Sequence, residues 1–350
     1  MDPSEAFVTT VIPTFEEAEF IDRCLTSLME QTWPSDRHSI LVVDGGSKDA
    51  TRTIVERLAK ESADSGGVEI SLIDNPERYV PQARNLAMKQ LPEQTTHVFE
   101  MIGHVWLPRD HIEKRMQGLE EIVSDSPGKV AGVGTLVCES DEKLPMVGRW
   151  VEATLQNPMG AGRGQFCQFS GRERTMISPF TIYRKEALES IEGYDERFIT
   201  TQDSELNMRL IDSGWELWRS DDSSCRMAKR RDLLGWIRFG HRYGFWRTKH
   251  LRMRPSRASP LEFLPWIGLL LTLGLLFIDV QAIPENSWMV PVVLYISVLL
   301  IHGLIECVSR RQPSLLFGVP LMLFLLHTSF SIGLLDGMVR KGRAPRDRVN

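Results

Sequence analysis

Asp44 stands where an acidic side chain could bind a nucleotide. The stretch Ile40 to Thr51, ILVVDGGSKDAT, runs from an apolar strand into an acid and two glycines, and then into a helix. A carboxylate at the carboxyl end of a buried strand, next to backbone that a ligand can approach closely, is typical of nucleotide sites in open α/β sheets. The same pattern also fits an ordinary turn that Asp44 and Gly46 shape.

An earlier segment has the same order of strand, turn and helix. Phe7 to Ile12 is typical of a buried strand, Pro13 and Thr14 end it, and Glu17 to Gln31 has helical apolar periodicity. Two such units in succession predict an α/β fold. A chain of 350 residues has room for a core of about 250 residues and a further part.

The further part is C-terminal and apolar. Phe263 to Ile278, Trp288 to Ile305 and Leu315 to Leu335 are nearly free of charge. Each is close to the ~17 to 25 residues with which a helix crosses a bilayer. These segments predict two or three membrane helices within 260–339, and the alternative is a set of buried helices in a large soluble protein.

A basic segment precedes the first apolar one. Residues 226–257 contain 11 Lys or Arg and one acid, Asp232, in a chain whose net charge is −5. By the positive-inside tendency, this segment and residues 1–225 are expected in the cytoplasm, where the basic side chains would meet lipid head groups or a lipid phosphate. The alternative is a solvated basic face without a ligand. The N-terminus has neither the basic start nor the apolar core of a signal peptide.

Some kinds of site and partner are not expected. The five cysteines are scattered singly, without a pair at metal-ligand or redox spacing, and this predicts free thiols in a reducing compartment. The sequence contains no Walker-type phosphate loop, and we expect no nucleic acid partner.

Four segments, in order and spacing, resemble glycosyltransferase family 2. They are VTTVIPTFEEAEFIDRCLTSLMEQTWP, VVDGGSKDAT, VPQARNLAMKQ and GYDERFITTQDSELNMRLIDSGWELW. The resemblance covers about Phe7 to Trp218 and implies a GT-A fold, a Rossmann-like domain that binds a nucleotide sugar. The segments RFGHRYGFWR and HTSFSIGLLDG further resemble the membrane-anchored, succinoglycan-type branch, which assembles surface polysaccharides on polyprenyl-linked sugars.

The resemblance and the composition together divide the chain into four parts. We expect a GT-A domain in 1–225, a basic juxtamembrane segment in 226–259, two or three transmembrane helices in 260–339 and a basic tail in 340–350. Three full crossings would place that tail outside the cell, against the positive-inside tendency. Within the first part, the resemblance implies that Glu139 to Arg174 is a variable loop on the acceptor side.

The resemblance also implies which residues bind the donor. It places Pro13, Thr14 and Glu17 beside the nucleotide and makes Asp44 the acceptor of a hydrogen bond from the base. Arg84, in the match to the family's Ala-Arg-Asn, would lie near a phosphate or a base edge, which suits its planar donor fork. The alternative for Arg84 is a helix-surface arginine in a salt bridge.

The metal motif of the family is only partly present. Its Asp-x-Asp is matched by Ile102, Gly103 and His104, so the first acid is missing, and the succinoglycan-type branch resembles Asp-Gly-His instead. The match implies Gly103 beside the nucleotide sugar and His104 as a ligand of a divalent cation, Mn²⁺ or Mg²⁺, of which imidazole prefers Mn²⁺. Glu100 faces the same side as Ile102 and could partly substitute for the acid. The alternative is a plain loop histidine.

The catalytic base is implied by the family's Glu-Asp motif, which corresponds to Gln202 and Asp203. An acceptor hydroxyl is a poor nucleophile until a carboxylate takes its proton, and Asp203 would do this in an inverting transfer. Asp203 could instead be a helix N-cap, and both roles could coexist. Processive synthases carry a Gln where this chain has Phe239, so a single transfer is expected.

The implied function is a membrane-bound inverting glycosyltransferase of the cell (inner) membrane, multi-pass, with a cytoplasmic catalytic domain. It would move a hexose from a nucleotide diphosphate sugar, UDP-linked, to a polyprenyl-diphosphate-linked saccharide. A second possible enzymatic activity is the attachment of a sugar directly to polyprenyl phosphate. The alternative is a protein that is not an active enzyme. It would be a catalytically impaired relative that binds nucleotide sugar or serves as a scaffold protein. Glu16, Ile102 and Gln202 depart from the motifs and favour this alternative. Asp44, Arg84 and Asp203 are present at their matching positions and favour the enzyme.

Overall fold

A computed structural model describes residues 6–162, 164–255, 258–277 and 286–341. These residues divide into two compact units, which lie within Met1–Asp141 plus Arg163–Ala228 and within Glu142–Gly162 plus Lys229–Asn350. The expected α/β domain forms the first unit. The second unit takes residues 142–162 in addition to the C-terminal helices. Most of the basic tail predicted at 340–350 lies outside the described residues, as does Ile278.

Nine strands of the described chain form one mixed sheet. They are β1 (Val8–Thr14), β2 (His38–Asp44), β3 (Glu69–Asp74), β4 (His97–Glu100), β5 (Val105–Trp106), β6 (Lys129–Cys138), β7 (Arg172–Arg174), β8 (Ile182–Arg184) and β9 (Trp215–Met227). The order is β3-β2-β1-β4-β8-β6-β9-β5, and β7 pairs with β9. Because β1 is parallel to β2 and β4, and β2 to β3, the carboxyl ends of these four strands share one edge.

Helices of the described chain occur in both units and form most of the second unit. They are α1 (Ile21–Met29), α2 (Thr51–Asp64), α3 (Val80–Met88), α4 (His111–Asp125), α5 (Met146–Gln156), α6 (Pro158–Ala161), α7 (Lys185–Glu189), α8 (Gln202–Asp212), α9 (Leu233–Met253), α10 (Leu264–Phe277), α11 (Met289–Arg310) and α12 (Leu315–Val339). Both predicted strand-turn-helix units are present, as β1 with α1 and β2 with α2.

The first helix is shorter than its apolar periodicity predicts. It begins at Ile21 rather than at Glu17, because the Glu17 carbonyl accepts hydrogen bonds from the backbone N–H of Phe20 and Ile21, each 2.9 Å long, in a tight turn before the helix. This turn leaves the Glu17 side chain next to the end of β1. The predicted core positions Cys24, Leu25 and Leu28 are buried.

Residues 142–162 contain two helices where a variable loop was expected. The reason is apolar burial within the second unit, since Ala153 of α5 belongs to one buried cluster with Leu299 of α11 and Val319 of α12. A polar contact accompanies this packing, because Asn157 Nδ2 donates to Glu306 Oε1 at 3.0 Å. The segment is therefore part of the helical unit.

Three helical segments in the described part of the chain are long and apolar enough to cross a membrane. They are Pro260–Phe277, Met289–Arg310 and Leu315–Val339, with 18, 22 and 25 residues. Their large side chains are exposed along much of α10 and α11, as membrane-facing helices require. The prediction of C-terminal membrane-length helices is confirmed, and their number is three.

The basic helix α9 packs directly against α12. A Cβ atom on Gly244 would lie 2.0 Å from the Phe330 carbonyl oxygen, and one on Gly333 would lie 2.1 Å from the His241 carbonyl oxygen. Glycine at both positions lets the two backbones touch. Trp236 Nε1 also donates to the Met322 carbonyl oxygen at 2.9 Å.

Because of this contact, we expect two Gly→Ala variants to differ in their free energy of unfolding. Gly244→Ala should lower the free energy of unfolding by about 1–3 kcal/mol, because the new methyl group overpacks the contact. Gly268→Ala in α10, where no atom lies within 4 Å, should leave it unchanged or raise it by up to about 1 kcal/mol through helix propensity. Denaturant titration in detergent measures both. Equal effects in the two variants would contradict the close packing of α9 on α12.

Candidate active site

Asp44 ends β2 in register with Thr14, the last residue of β1. Its carboxylate is buried and accepts hydrogen bonds from the backbone N–H of Gly46 (3.1 Å) and Ser47 (3.0 Å) and from Arg52 Nη1 (3.0 Å). Gly46 has a φ of +83°, which favours glycine. Asp44 thus shapes its turn, and it also presents a fixed acceptor at the carboxyl end of the strand.

Arg52 and Asp74 were missed in the sequence. Asp74 is the last residue of β3 and pairs in register with Asp44, so the rule that singled out Asp44 applies to it as well. Arg52 Nη1 lies 2.6 Å from Asp74 Oδ1 and 3.0 Å from Asp44 Oδ2. The pKa of Arg52 is raised mainly by its hydrogen bond to Asp74 and also by its hydrogen bond to Asp44. The Arg52 guanidinium therefore stays charged at the sheet edge.

The turn after β1 is tied to the turn after β2. Glu16 donates its backbone N–H to Ser47 Oγ, and Glu17 donates its own to Thr51 Oγ1, both at 2.8 Å. Glu16 adopts a φ of +55° in this turn. Glu16 therefore joins the two turns through its backbone and not through its side chain. Its departure from the family motif, which usually has Asn at this position, leaves the turns connected.

Glu17 and His104 come together in the first unit. Glu17 Oε1 lies 2.8 Å from His104 Nδ1, and both side chains are partly exposed. A Cβ atom on Gly103 would lie 2.9 Å from Glu17 Cγ, so glycine is needed for Glu17 to reach the histidine. The two side chains place a carboxylate oxygen and an imidazole nitrogen next to each other.

These two donors fit a divalent cation that takes most of its ligands from elsewhere. Within the described residues, no group of three or more His, Cys, Asp or Glu could hold a metal ion. Mg²⁺ and similar ions are commonly held by one or two protein ligands together with substrate phosphates and water. Glu17 and His104 suit this kind of site, and an all-protein cage is excluded for the described chain.

Arg84 and Glu100 form a buried pair. Arg84 is 5% exposed and Glu100 is 4% exposed, and Arg84 Nη1 lies 3.2 Å from Glu100 Oε2. The Arg84 guanidinium is also 5.2 Å from the centre of the Tyr194 ring. Arg84 is therefore not a helix-surface arginine. Glu100, considered as a substitute metal ligand, points to Arg84 instead, because a buried carboxylate requires a cation beside it.

Asp203 lies in the first turn of α8. Thr201, with a φ of +62°, precedes the helix, so the alternative of Asp203 as the N-cap is wrong. Asp203 Oδ1 accepts a local hydrogen bond, 2.8 Å long, from the Ser204 backbone N–H. Burial raises the pKa of Glu100 to about 7, Arg84 opposes the rise, and the charge of Asp203 adds to it. Arg84, Glu100 and Asp203 thus share one electrostatic environment.

Internal contacts fix the start of α8. Glu205 Oε1 accepts from Arg209 Nε at 2.7 Å, and the same guanidinium donates to the carbonyl oxygens of Ile191 and Gly193, each at 2.7 Å. Leu206, three residues after Asp203, is buried in the core. Asp203 therefore projects from a helix that is clamped to the preceding turn.

Two curated relatives match nearly the whole chain. One is "Dolichyl N-acetyl-alpha-D-glucosaminyl phosphate 3-beta-D-2,3-diacetamido-2,3-dideoxy-beta-D-glucuronosyltransferase" of Methanococcus voltae, 25% identical over 95% of this chain and 98% of its own length. The other is succinoglycan biosynthesis protein ExoA of Rhizobium meliloti (strain 1021), 26% identical over 92% of each chain. Both matches cover more of the chain than the residues before α10, so both include part of the C-terminal helical region.

A solved structure has the same fold. The mannosyltransferase PcManGT from Pyrobaculum calidifontis, in complex with GDP-Man and Mn²⁺, superposes with a TM-score of 0.60 over 97% of this chain and 89% of its own, at 17% identity. This likeness confirms the predicted GT-A fold followed by C-terminal helices. It does not depend on any single motif.

The family model described as "Glycosyl transferase family 2" matches residues 9–192. The matched region is more than half of the chain and contains β1 to β4 with the Asp44, Arg84 and His104 positions. The resemblance first seen in the four sequence motifs is confirmed. The chain belongs to glycosyltransferase family 2, in its membrane-anchored branch, and is a glycosyltransferase.

Proposed function

We propose that this enzyme is an inverting hexosyltransferase of the cell (inner) membrane. It moves a hexose from a nucleotide diphosphate sugar, UDP-linked, to a polyprenyl-diphosphate-linked saccharide during synthesis of a surface polysaccharide. The observation that carries the proposal is the electrostatic interaction of Asp203, which is partly exposed, with Glu100 of the buried Arg84–Glu100 pair, which lies within the region matched to family 2. The chain also has three helices of membrane-spanning length.

The donor binds at the carboxyl ends of the parallel strands. Asp44 accepts a hydrogen bond from the base, and Pro13 and Thr14 line the nucleotide at the end of β1. Arg84 contributes a cation that suits a diphosphate, since its guanidinium has only one ion pair among the described residues. Arg52 holds the Asp44 carboxylate in place through its 3.0 Å ion pair.

Asp203 acts as the catalytic base. Its carboxylate takes the proton of the acceptor hydroxyl as that oxygen attacks the anomeric carbon. The bond from this carbon to the diphosphate oxygen breaks on the opposite face, and its electron pair leaves with the nucleoside diphosphate. The configuration at the anomeric carbon is inverted because attack and departure use opposite faces.

Glu17 and His104 would hold a divalent cation, with Mn²⁺ favoured over Mg²⁺ by the imidazole. When bound, the cation would neutralise negative charge on the leaving diphosphate. The Pyrobaculum structure, which contains Mn²⁺, supports this part of the proposal. Gly103 allows the close approach of Glu17 that the pair requires.

The acceptor is proposed from the relatives and from the membrane helices. The Methanococcus relative is named for transfer to a dolichyl-linked sugar phosphate. The Rhizobium relative is named for succinoglycan biosynthesis. A polyprenyl-linked acceptor would be delivered at the membrane surface. The basic segment 226–259 favours a cytoplasmic orientation of the catalytic domain and contact with anionic lipid.

The role of Asp203 predicts a separation of catalysis from donor binding. Asp203→Asn should lower the transfer rate by a factor of about 100 to 10,000, the range for loss of a general base, with donor affinity nearly unchanged. Transfer to a polyprenyl-linked acceptor and nucleotide-sugar titration measure the two quantities. Asp212→Asn, at the other end of α8, should retain transfer. Unchanged turnover in Asp203→Asn would reject Asp203 as the base.

The proposed cation site predicts that the Mn²⁺ requirement of transfer depends on the Glu17 side chain but not on that of Glu16. Glu17→Gln should raise the Mn²⁺ concentration for half-maximal transfer by about 10- to 100-fold, because one of two protein donors is weakened. Glu16→Gln is the matched control, since Glu16 contributes its backbone rather than its side chain. Chelator should abolish transfer, and added Mn²⁺ should restore it. Full activity of the wild-type enzyme in chelator would contradict a cation role.

A further inference from the structure

The pair of Arg84 and Glu100 is incompletely satisfied. Glu100 Oε1 and both Nε and Nη1 of Arg84 are buried and have no hydrogen-bond partner among the described residues. The 3.2 Å separation between Nη1 and Glu100 Oε2 is therefore a charge contact without hydrogen-bond alignment. Buried polar groups are nearly always paired, so such atoms require a functional or structural reason.

The position of Glu100 is fixed by backbone contacts. Glu100 is the last residue of β4, its backbone N–H donates to the Thr181 carbonyl oxygen at 3.0 Å, and the next N–H, of Met101, donates to Val11 at 3.0 Å. The main chain from which the Glu100 side chain projects toward Arg84 is therefore held in place. A side chain held in this way acts on its neighbours through its charge.

Ionisable groups from three other elements face Glu100. They are Arg84 of α3, Asp203 of α8 and Tyr183 of β8. The Tyr183 hydroxyl donates to Asn207 Oδ1 at 2.6 Å and is thus occupied. Only one of the three, Arg84, is a cation, so the charge on Glu100 decides how much of the Arg84 charge is compensated.

We propose that Glu100 is a positioning residue that controls how strongly Arg84 attracts the donor diphosphate. This inference rests on the proposed function. When Glu100 is protonated, the Arg84 charge is uncompensated and is directed to the diphosphate. When Glu100 is ionised, it competes with the diphosphate for Arg84. Glu100 does not touch the reacting atoms in this scheme and acts only through Arg84.

The sign of the pH effect follows from linkage. Burial raises the pKa of Glu100 to about 7, so its charge changes near neutrality. A bound diphosphate adds negative charge and draws Arg84 away from Glu100, and both effects raise the Glu100 pKa further. Donor binding therefore takes up a proton, and donor affinity falls as the pH rises through about 7.

The test compares donor affinity at several pH values in the detergent-solubilised full chain. UDP-N-acetylglucosamine and GDP-mannose with saturating Mn²⁺ serve as probes, since their phosphates are diesters and do not titrate near neutrality. Wild-type affinity should fall on the order of tenfold between about pH 6 and pH 8, the effect of a one-unit change in pKa. Glu100→Gln should lose this dependence and keep the higher affinity. The readout is the difference between the pH profiles of the two proteins, so the titration of groups that both proteins share cancels.

A control and a second measurement complete the test. Glu216→Gln removes a partly buried carboxylate that pairs with Arg174 in the same unit, and it should keep the wild-type pH profile. Calorimetry of the wild-type protein in buffers of different ionisation enthalpy should show net proton uptake on donor binding near pH 7, and this needs no variant to fold. Donor binding without proton uptake, or with the same pH profile in Glu100→Gln, would overturn the role of Glu100 and leave the proposed function intact. Absence of nucleotide-sugar binding at every pH would overturn both.

Discussion

Parallel pairing of β1 with both β2 and β4 is the constraint on which the candidate site depends. It brings the end of β1, with Thr14 and the turn to Glu17, next to Asp44 at the end of β2 and Glu100 at the end of β4. Residues far apart in the sequence therefore meet at one edge of the sheet. The residues of the candidate site therefore all belong to the first compact unit.

Charge pairing gives each carboxylate of this edge a different character. Asp44 is held by its own turn and by Arg52 and stays a fixed acceptor. Glu100 is buried against a single arginine and titrates near neutrality. Asp203 Oδ1 accepts a local hydrogen bond from the Ser204 backbone N–H, and we propose that the carboxylate takes the proton of the acceptor hydroxyl. The three carboxylates thus differ in their surroundings, and the proposed roles rest on this difference rather than on residue type.

Much of this arrangement could be predicted from the sequence, because strand ends and apolar runs are local patterns. The Asp44 turn, the first two strand-turn-helix units and the C-terminal apolar helices follow from such patterns. The partner of Arg84 could not be predicted, since Glu100 meets it only through the strand order. The helices of residues 142–162 were missed for the same reason: their apolar side chains pack on α11 and α12, far away in the sequence. Asp74 was the exception, a local signal that was present and overlooked.

We propose that this sheet edge binds a nucleoside diphosphate with the help of a cation. The most direct measurement is a titration of the detergent-solubilised protein with UDP and with GDP, each in Mn²⁺, in Mg²⁺ and in chelator. We expect UDP binding that is strongest in Mn²⁺, is lost in chelator and is lost in Asp44→Ala. Failure of both nucleotides to bind under every condition would contradict a nucleotide site at this edge and would favour a scaffold role for the chain.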